Sequence, residues 1–176
     1  SQVGQCFHLP YALVMLPEGK MSSRAGNVIL FSQLRKEIIE SIQSAHLVEH
    51  RKDWSQQELD ETAQKIAVAA IKYGMLNQDS NKQIVFSMND WLISEGDTGT
   101  YLVYAYVRIR SIGRQISSEV SADVDFALLA HPNEKKLLRQ MLDFNRTVLN
   151  SGEQYRPSLL ARMLYEFAKD FSRAYS

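Results

Sequence analysis

One cysteine, Cys6, stands in a chain of 176 residues. A lone thiol permits no internal disulfide and no cysteine-rich zinc site, which suits a reducing compartment, and its ordinary role is that of a small buried apolar residue. Net charge is also missing, because 20 lysines and arginines balance 20 aspartates and glutamates. Nothing in that sum demands nucleic acid or an anionic membrane as partner. No apolar run approaches the ~18 residues of a membrane span, and the first residues do not read as a charged-then-apolar leader. A soluble, cytoplasmic protein without membrane attachment is therefore expected. Histidine is scarce: His8, His46, His50 and His131 lack the spacing of a zinc site and support no Ser, His, Asp arrangement, so no bound metal is expected. Carboxylates are plentiful, yet none pairs in a way that points to general acid and base work. Repeats and low-complexity segments are absent.

What is present is enough apolar material, 45% of residues, to bury a core in one domain or two small ones. Charge is distributed unevenly. Residues 1–50 carry four of each sign, 51–100 carry five positive against eight negative, and 101–176 carry eleven against eight. The apolar run after Pro10 in "FHLPYALVML", bounded by the "PEG" turn, reads as a buried strand leading into a loop. Leu34, Ile38, Ile39 and Ile42 recur at helical spacing and predict a helix from about Ser32 to Ala45. "SQQE" at Ser55 to Glu58 has capping-box spacing and predicts a second helix, with Ile66, Ala70 and Tyr73 on one stripe. "QIVFSMNDWLISEGDTG" reads as a short extended piece, a helical turn and a Gly-rich connector, the best candidate for a domain boundary. Three helices are predicted beyond it: "TYLVYAYVRIRSIGRQI", "NEKKLLRQMLDFNRTVLN" after His131 and Pro132, and "PSLLARMLYEFAKDFSRAY" with Pro157 in its first turn.

Two stretches carry chemistry. "EGKMSSRAGN" puts the fixed charges of Lys20 and Arg24 beside the hydroxyls of Ser22 and Ser23, an arrangement suited to clamping phosphate oxygens. An ordinary polar turn accounts for the same residues. In the helix from Tyr101, at 100° per residue, Tyr101, Tyr104 and Arg108 fall within a sector of roughly 60°. Leu102, Ala105, Ile109, Ile112 and Ile116 form the neighbouring apolar face. Rings stack on unpaired bases and arginine holds phosphates, so the sector makes a platform for single-stranded RNA. Tyrosines that merely shield the edge of a core would show the same spacing.

Taken together, three segments carry a resemblance. "GKMSSRAGNV" resembles the "KMSKS" signature loop of class I aminoacyl-tRNA synthetases. "FSMNDWLISEGDTGTYLVYAYVRIRSI" is similar to the segment that opens the helical anticodon-binding domain of arginyl-tRNA synthetases, and "YRPSLLARMLYEFAKDFSRAY" is similar to a later helix of that domain. The resemblance implies a mainly α fold. Residues 1–30 would be the tail of a Rossmann-type catalytic domain, 31–97 a helical connector that supports the inner corner of the tRNA acceptor stem, and 98–176 a helical anticodon-binding domain, C-terminally truncated. It implies a fragment of an arginine-tRNA ligase, inactive alone, with the "HIGH" signature and the arginine pocket upstream. Partners would be tRNA(Arg), arginine and ATP, with Mg2+ and no bound prosthetic group, in a monomer serving protein biosynthesis.

Residue by residue, Lys20, Met21 and Ser22 match the first three signature positions, while Ser23 stands where the family has its second lysine and Arg24 where it has the last serine. The resemblance therefore implies Lys20 and Arg24 as the charges acting at the ATP phosphates, and Lys20, Met21, Ser22 and Ser23 as the ATP-binding loop. Tyr101, Tyr104, Arg108 and Tyr165 match positions expected to touch tRNA. Two other readings are a cysteinyl-type synthetase fragment, from which "EGDTGTYLVYAYVRIRSI" differs, and a non-catalytic helical interaction module.

Overall fold

In the computed structural model, which describes residues 7–21, 24, 26, 28–116, 123 and 125–175, the elements run β1 (Val14–Leu16), β2 (Gly19–Lys20), α1 (Phe31–Ala45), α2 (Gln56–Leu76), β3 (Ile84–Val85), α3 (Met88–Leu92), α4 (Gly99–Gln115), α5 (Pro132–Glu153) and α6 (Pro157–Tyr175). Short 3-10 turns occupy Val48–Lys52 and Phe126–Leu128. The mainly α architecture with a small sheet agrees with the fold read from the sequence. No helix among the described residues is long and apolar enough to cross a membrane. Cys6 lies outside the described residues.

The strand expected after Pro10 is only three residues long, and it does not open into a loop. Pro17 and Glu18 form a turn, Gly19 takes φ of 127°, a region that side chains avoid, and the chain pairs back on itself at once. Met15 stands opposite Lys20 and Leu16 opposite Gly19, so Lys20 is a strand residue. β3 joins in parallel on the other side of β1, with Val14 opposite Ile84 and Met15 opposite Val85. The stretch read as a connector thus begins with a strand bonded to the N-terminal segment.

The core lies between α1 and α2. Ile38 and Ile42 of α1 are sealed from solvent and meet Ala63, Ala67 and Ala70 of α2, with Leu47, Leu59, Phe86 and Leu92 closing the cluster. Each isoleucine contributes about 1.5–3 kcal/mol by burial. The predicted capping box forms: Ser55 Oγ accepts from the Glu58 N–H at 3.3 Å, and the Glu58 carboxylate accepts from the Ser55 N–H at 2.8 Å. Of the expected stripe on α2, Ala70 and Tyr73 are buried and Ile66 packs at the edge of the core.

α4 begins where Thr98 Oγ1 accepts from the Tyr101 N–H at 3.1 Å and donates to the Ile93 carbonyl at 2.7 Å. Gly99 lets this start lie directly on α2, since a Cβ there would stand 2.3 Å from the Ala69 carbonyl oxygen. Only the first turns of α4 are buried, at Gly99, Thr100 and Ala105. The outer part of the predicted apolar face, Ile109 and Ile116, is exposed because α2 and α3 lie against the helix start alone. α5 is capped by His131, whose Nδ1 accepts from the Asn133 N–H at 3.2 Å, and it packs along α6.

Candidate nucleic-acid interface

Thr98 fixes the register of α4, and that register decides where its rings go. Tyr101 projects toward α6, its ring half-buried, and its hydroxyl lies 3.2 Å from Ser172 Oγ. Its ring centroid is 5.9 Å from that of Tyr165 at an interplanar angle of 64°, and 6.5 Å from that of Tyr104. Three of the four residues expected to touch RNA therefore form one aromatic cluster across the α4 and α6 interface. Tyr104 is the open member, 51% exposed.

Arg108, one turn further along α4, sets its guanidinium 4.5 Å from the centroid of the Tyr175 ring, which in turn stacks with Phe171 at 6.0 Å. Within α6, Lys169 Nζ sits 5.3 Å from the Tyr165 centroid. The bond to Glu166 raises the Lys169 pKa, so the ammonium stays charged. Two cations thus lie beside rings of α6, Arg108 at Tyr175 and Lys169 at Tyr165, a pattern that can stack bases and meet phosphates together. Lys169, Phe171 and Tyr175 were missed in the sequence. The four-residue steps from Tyr165 to Lys169 and from Phe171 to Tyr175 are the signal that could have found them.

The residues expected at ATP sit on a separate element. Lys20 ends β2 and is exposed, Met21 follows it half-buried, and Arg24 is exposed. Ser22 and Ser23 lie outside the described residues. Lys20 also has interactions within the protein.

A second tier of contacts supports the cluster. Tyr73 of α2 donates its hydroxyl to Asp97 Oδ1 and reaches the Ala161 carbonyl of α6 at 3.3 Å. Burial first, and then that bond to Asp97, hold the phenol well above its ordinary range. Asp170 of α6, 3% exposed, receives Lys136 Nζ at 2.9 Å and Gln140 Nε2 at 2.8 Å from α5. Asp79, in the turn after α2, receives Arg156 Nη2 at 3.0 Å and 3.1 Å and Ser158 Oγ at 2.7 Å at the start of α6.

Residues 102–176 match the model of the DALR anticodon binding domain. The chain is 37% identical over 175 residues to an arginine–tRNA ligase of Bdellovibrio bacteriovorus, and 33% identical over 171 residues to that of Clostridium acetobutylicum. These alignments cover 99% and 97% of this chain and 30% of each relative. Thermus thermophilus arginyl-tRNA synthetase superposes with a TM-score of 0.81 at 29% identity, over 94% of this chain and 26% of that one. The chain spans about 30% of the length of the curated relatives it matches.

Proposed function

We propose, from the premise that this chain belongs to the arginyl-tRNA synthetase family, that it supplies the tRNA-binding helices and the ATP-facing signature loop of an arginine–tRNA ligase. The observation that carries the reading is the aromatic cluster of Tyr101, Tyr104 and Tyr165, which lies on the helices of the anticodon-binding match and is flanked by Arg108 and Lys169. In this reading unstacked bases of the anticodon loop rest on Tyr104 and Tyr165, and Arg108 meets a phosphate.

At the other end, Lys20 acts on the ATP phosphates during formation of arginyl-adenylate. A lysine that meets phosphate chiefly in the transition state lowers the barrier electrostatically, with no proton transferred. Lys20 is thus a clamp, with Arg24 as second charge and Ser22 and Ser23 as hydroxyl donors. We assign 1–30 to the catalytic domain's tail, 31–97 to the connector and 98–176 to anticodon binding, in a monomeric cytoplasmic ligase using Mg2+ and ATP.

Titrating labelled tRNA(Arg) into the chain and its Tyr104→Ala variant, at two salt concentrations and with a melting curve for each, tests the platform. Binding should weaken with salt as counterions are released. The variant should lose about 1–3 kcal/mol of RNA affinity with little change in melting, since the ring is half in solvent. Equal affinities for the two proteins overturn the platform.

A further inference from the structure

The turn after α2 holds two distant parts of the molecule at once. On one side, backbone bonds tie the N-terminal segment to this turn and to β3 just after it: Ala12 N–H donates to the Ser80 carbonyl at 2.7 Å, Ile84 N–H to the Leu13 carbonyl at 3.1 Å, and Phe86 N–H to the Met15 carbonyl at 2.7 Å. Met15 is in turn the strand partner of Lys20. On the other side, the Asp79 carboxylate takes a two-pronged bond from Arg156 and a third from Ser158, the residues around which α6 begins. α6 carries Tyr165. The anchor of α6, Asp79, and the anchor of the N-terminal segment, Ser80, are therefore adjacent in the chain.

Two independent features mark the same junction. Phe7, in the segment leading to β1, stacks on Tyr155 with centroids 4.4 Å apart and planes 19° from parallel. Tyr155 itself is held at φ of 53°, the left-handed region that non-glycine residues enter at a cost. That conformation closes the C-terminus of α5, where Tyr155 N–H donates to the Gly152 carbonyl at 3.2 Å and Arg156 N–H to the Ser151 carbonyl at 2.9 Å, and it delivers Arg156 to the Asp79 clamp. Planar bidentate pairing with a third hydroxyl bond defines an orientation, which a single surface ion pair does not.

We propose that Asp79 is a positioning residue that sets the angle of α6, and so of the tRNA it binds, relative to the hairpin bearing Lys20. This rests on the ligase reading given above. If tRNA is held on the α4 and α6 cluster while ATP is closed over by the hairpin, the productive geometry depends on the joint between them. A small rotation there misplaces the reacting end while leaving the contacts on the cluster whole.

The test uses a full-length ligase containing these residues, with steady-state charging of tRNA(Arg). Asp79→Ala should lower kcat about tenfold, with the KM for tRNA changed by less than about twofold. The charge-exchanged double variant, Asp79→Arg with Arg156→Asp, should recover kcat in part. Arg156→Gln, which keeps the site folded through Ser158, should give the same split more weakly. A kcat within twofold of the wild type, a loss confined to KM, or a loss that the exchange does not relieve in folded protein overturns the proposal. A parent that charges no tRNA overturns the ligase reading instead.

Discussion

Tyr73 ties three segments with one hydroxyl: its own helix, the Gly-rich stretch through Asp97, and α6 through the Ala161 carbonyl. Tyr73→Phe leaves Asp97 without its donor and should cost about 1–3 kcal/mol, read as a lower midpoint in chemical denaturation with an unchanged slope. Tyr101 has a mixed role, since its ring belongs to the cluster while its hydroxyl meets Ser172. Tyr101→Phe separates the two. It should lower stability by about 0.5–1.5 kcal/mol and leave RNA affinity unaltered, because stacking needs the ring alone. A loss of affinity in that variant would show that RNA contacts the hydroxyl.

At the scale of the element, α5 and α6 form a pair whose buried ionic contact is Asp170. Burial alone would push its carboxyl up. The bonds from Lys136 and Gln140, with the charges of Lys136 and Arg173, outweigh it, and the carboxyl titrates below its ordinary 3.8. The ionised form therefore adds stability at every pH above that value, and the contribution drains away as pH falls through the lower folded value. Melting temperatures from pH 7 to 3 should drop more steeply at the acid end for the wild type than for Asp170→Asn, which should be less stable by about 1.5–3 kcal/mol at pH 7. Between α2 and α4 the sensitive point is Gly99. Gly99→Ala puts a methyl into the Ala69 carbonyl and should cost about 1–3 kcal/mol through forced separation of the helices, measurable by thermal unfolding.

For the whole molecule, the two proposed chemistries sit at opposite ends of the sequence, and variants should sort accordingly. On the proposed function, Lys20→Ala in the full-length protein should raise the barrier to adenylate formation by about 2–4 kcal/mol while tRNA affinity is preserved. Exchange of pyrophosphate into ATP, with arginine and tRNA present, measures it. Arg24→Ala should cost a similar amount and Ser23→Ala little, since a hydroxyl cannot replace a positive charge acting over distance. Single-turnover rates for the two variants would reverse this order if Ser23 carried the function of the absent second lysine.

The helices were legible because their signals are local. The Ser55 to Glu58 box, the isoleucine spacing of α1 and the prolines opening α5 and α6 act within a turn or two of chain, where sequence neighbours are spatial neighbours. The Tyr101, Tyr104, Arg108 sector was legible for the same reason. The pairing of β1 with β3, the meeting of Tyr101 with Tyr165 and the clamp of Asp79 on Arg156 were not. Sixty to eighty residues separate most of those partners, and no local pattern encodes a contact at that range. By itself the sequence determined which helices form, which faces are apolar and which residue types could meet RNA or phosphate. Tertiary packing alone decided that Tyr104 is the open ring, that Arg108 rests on Tyr175, and that hairpin and α6 share one joint, because exposure and orientation depend on what other segments bury.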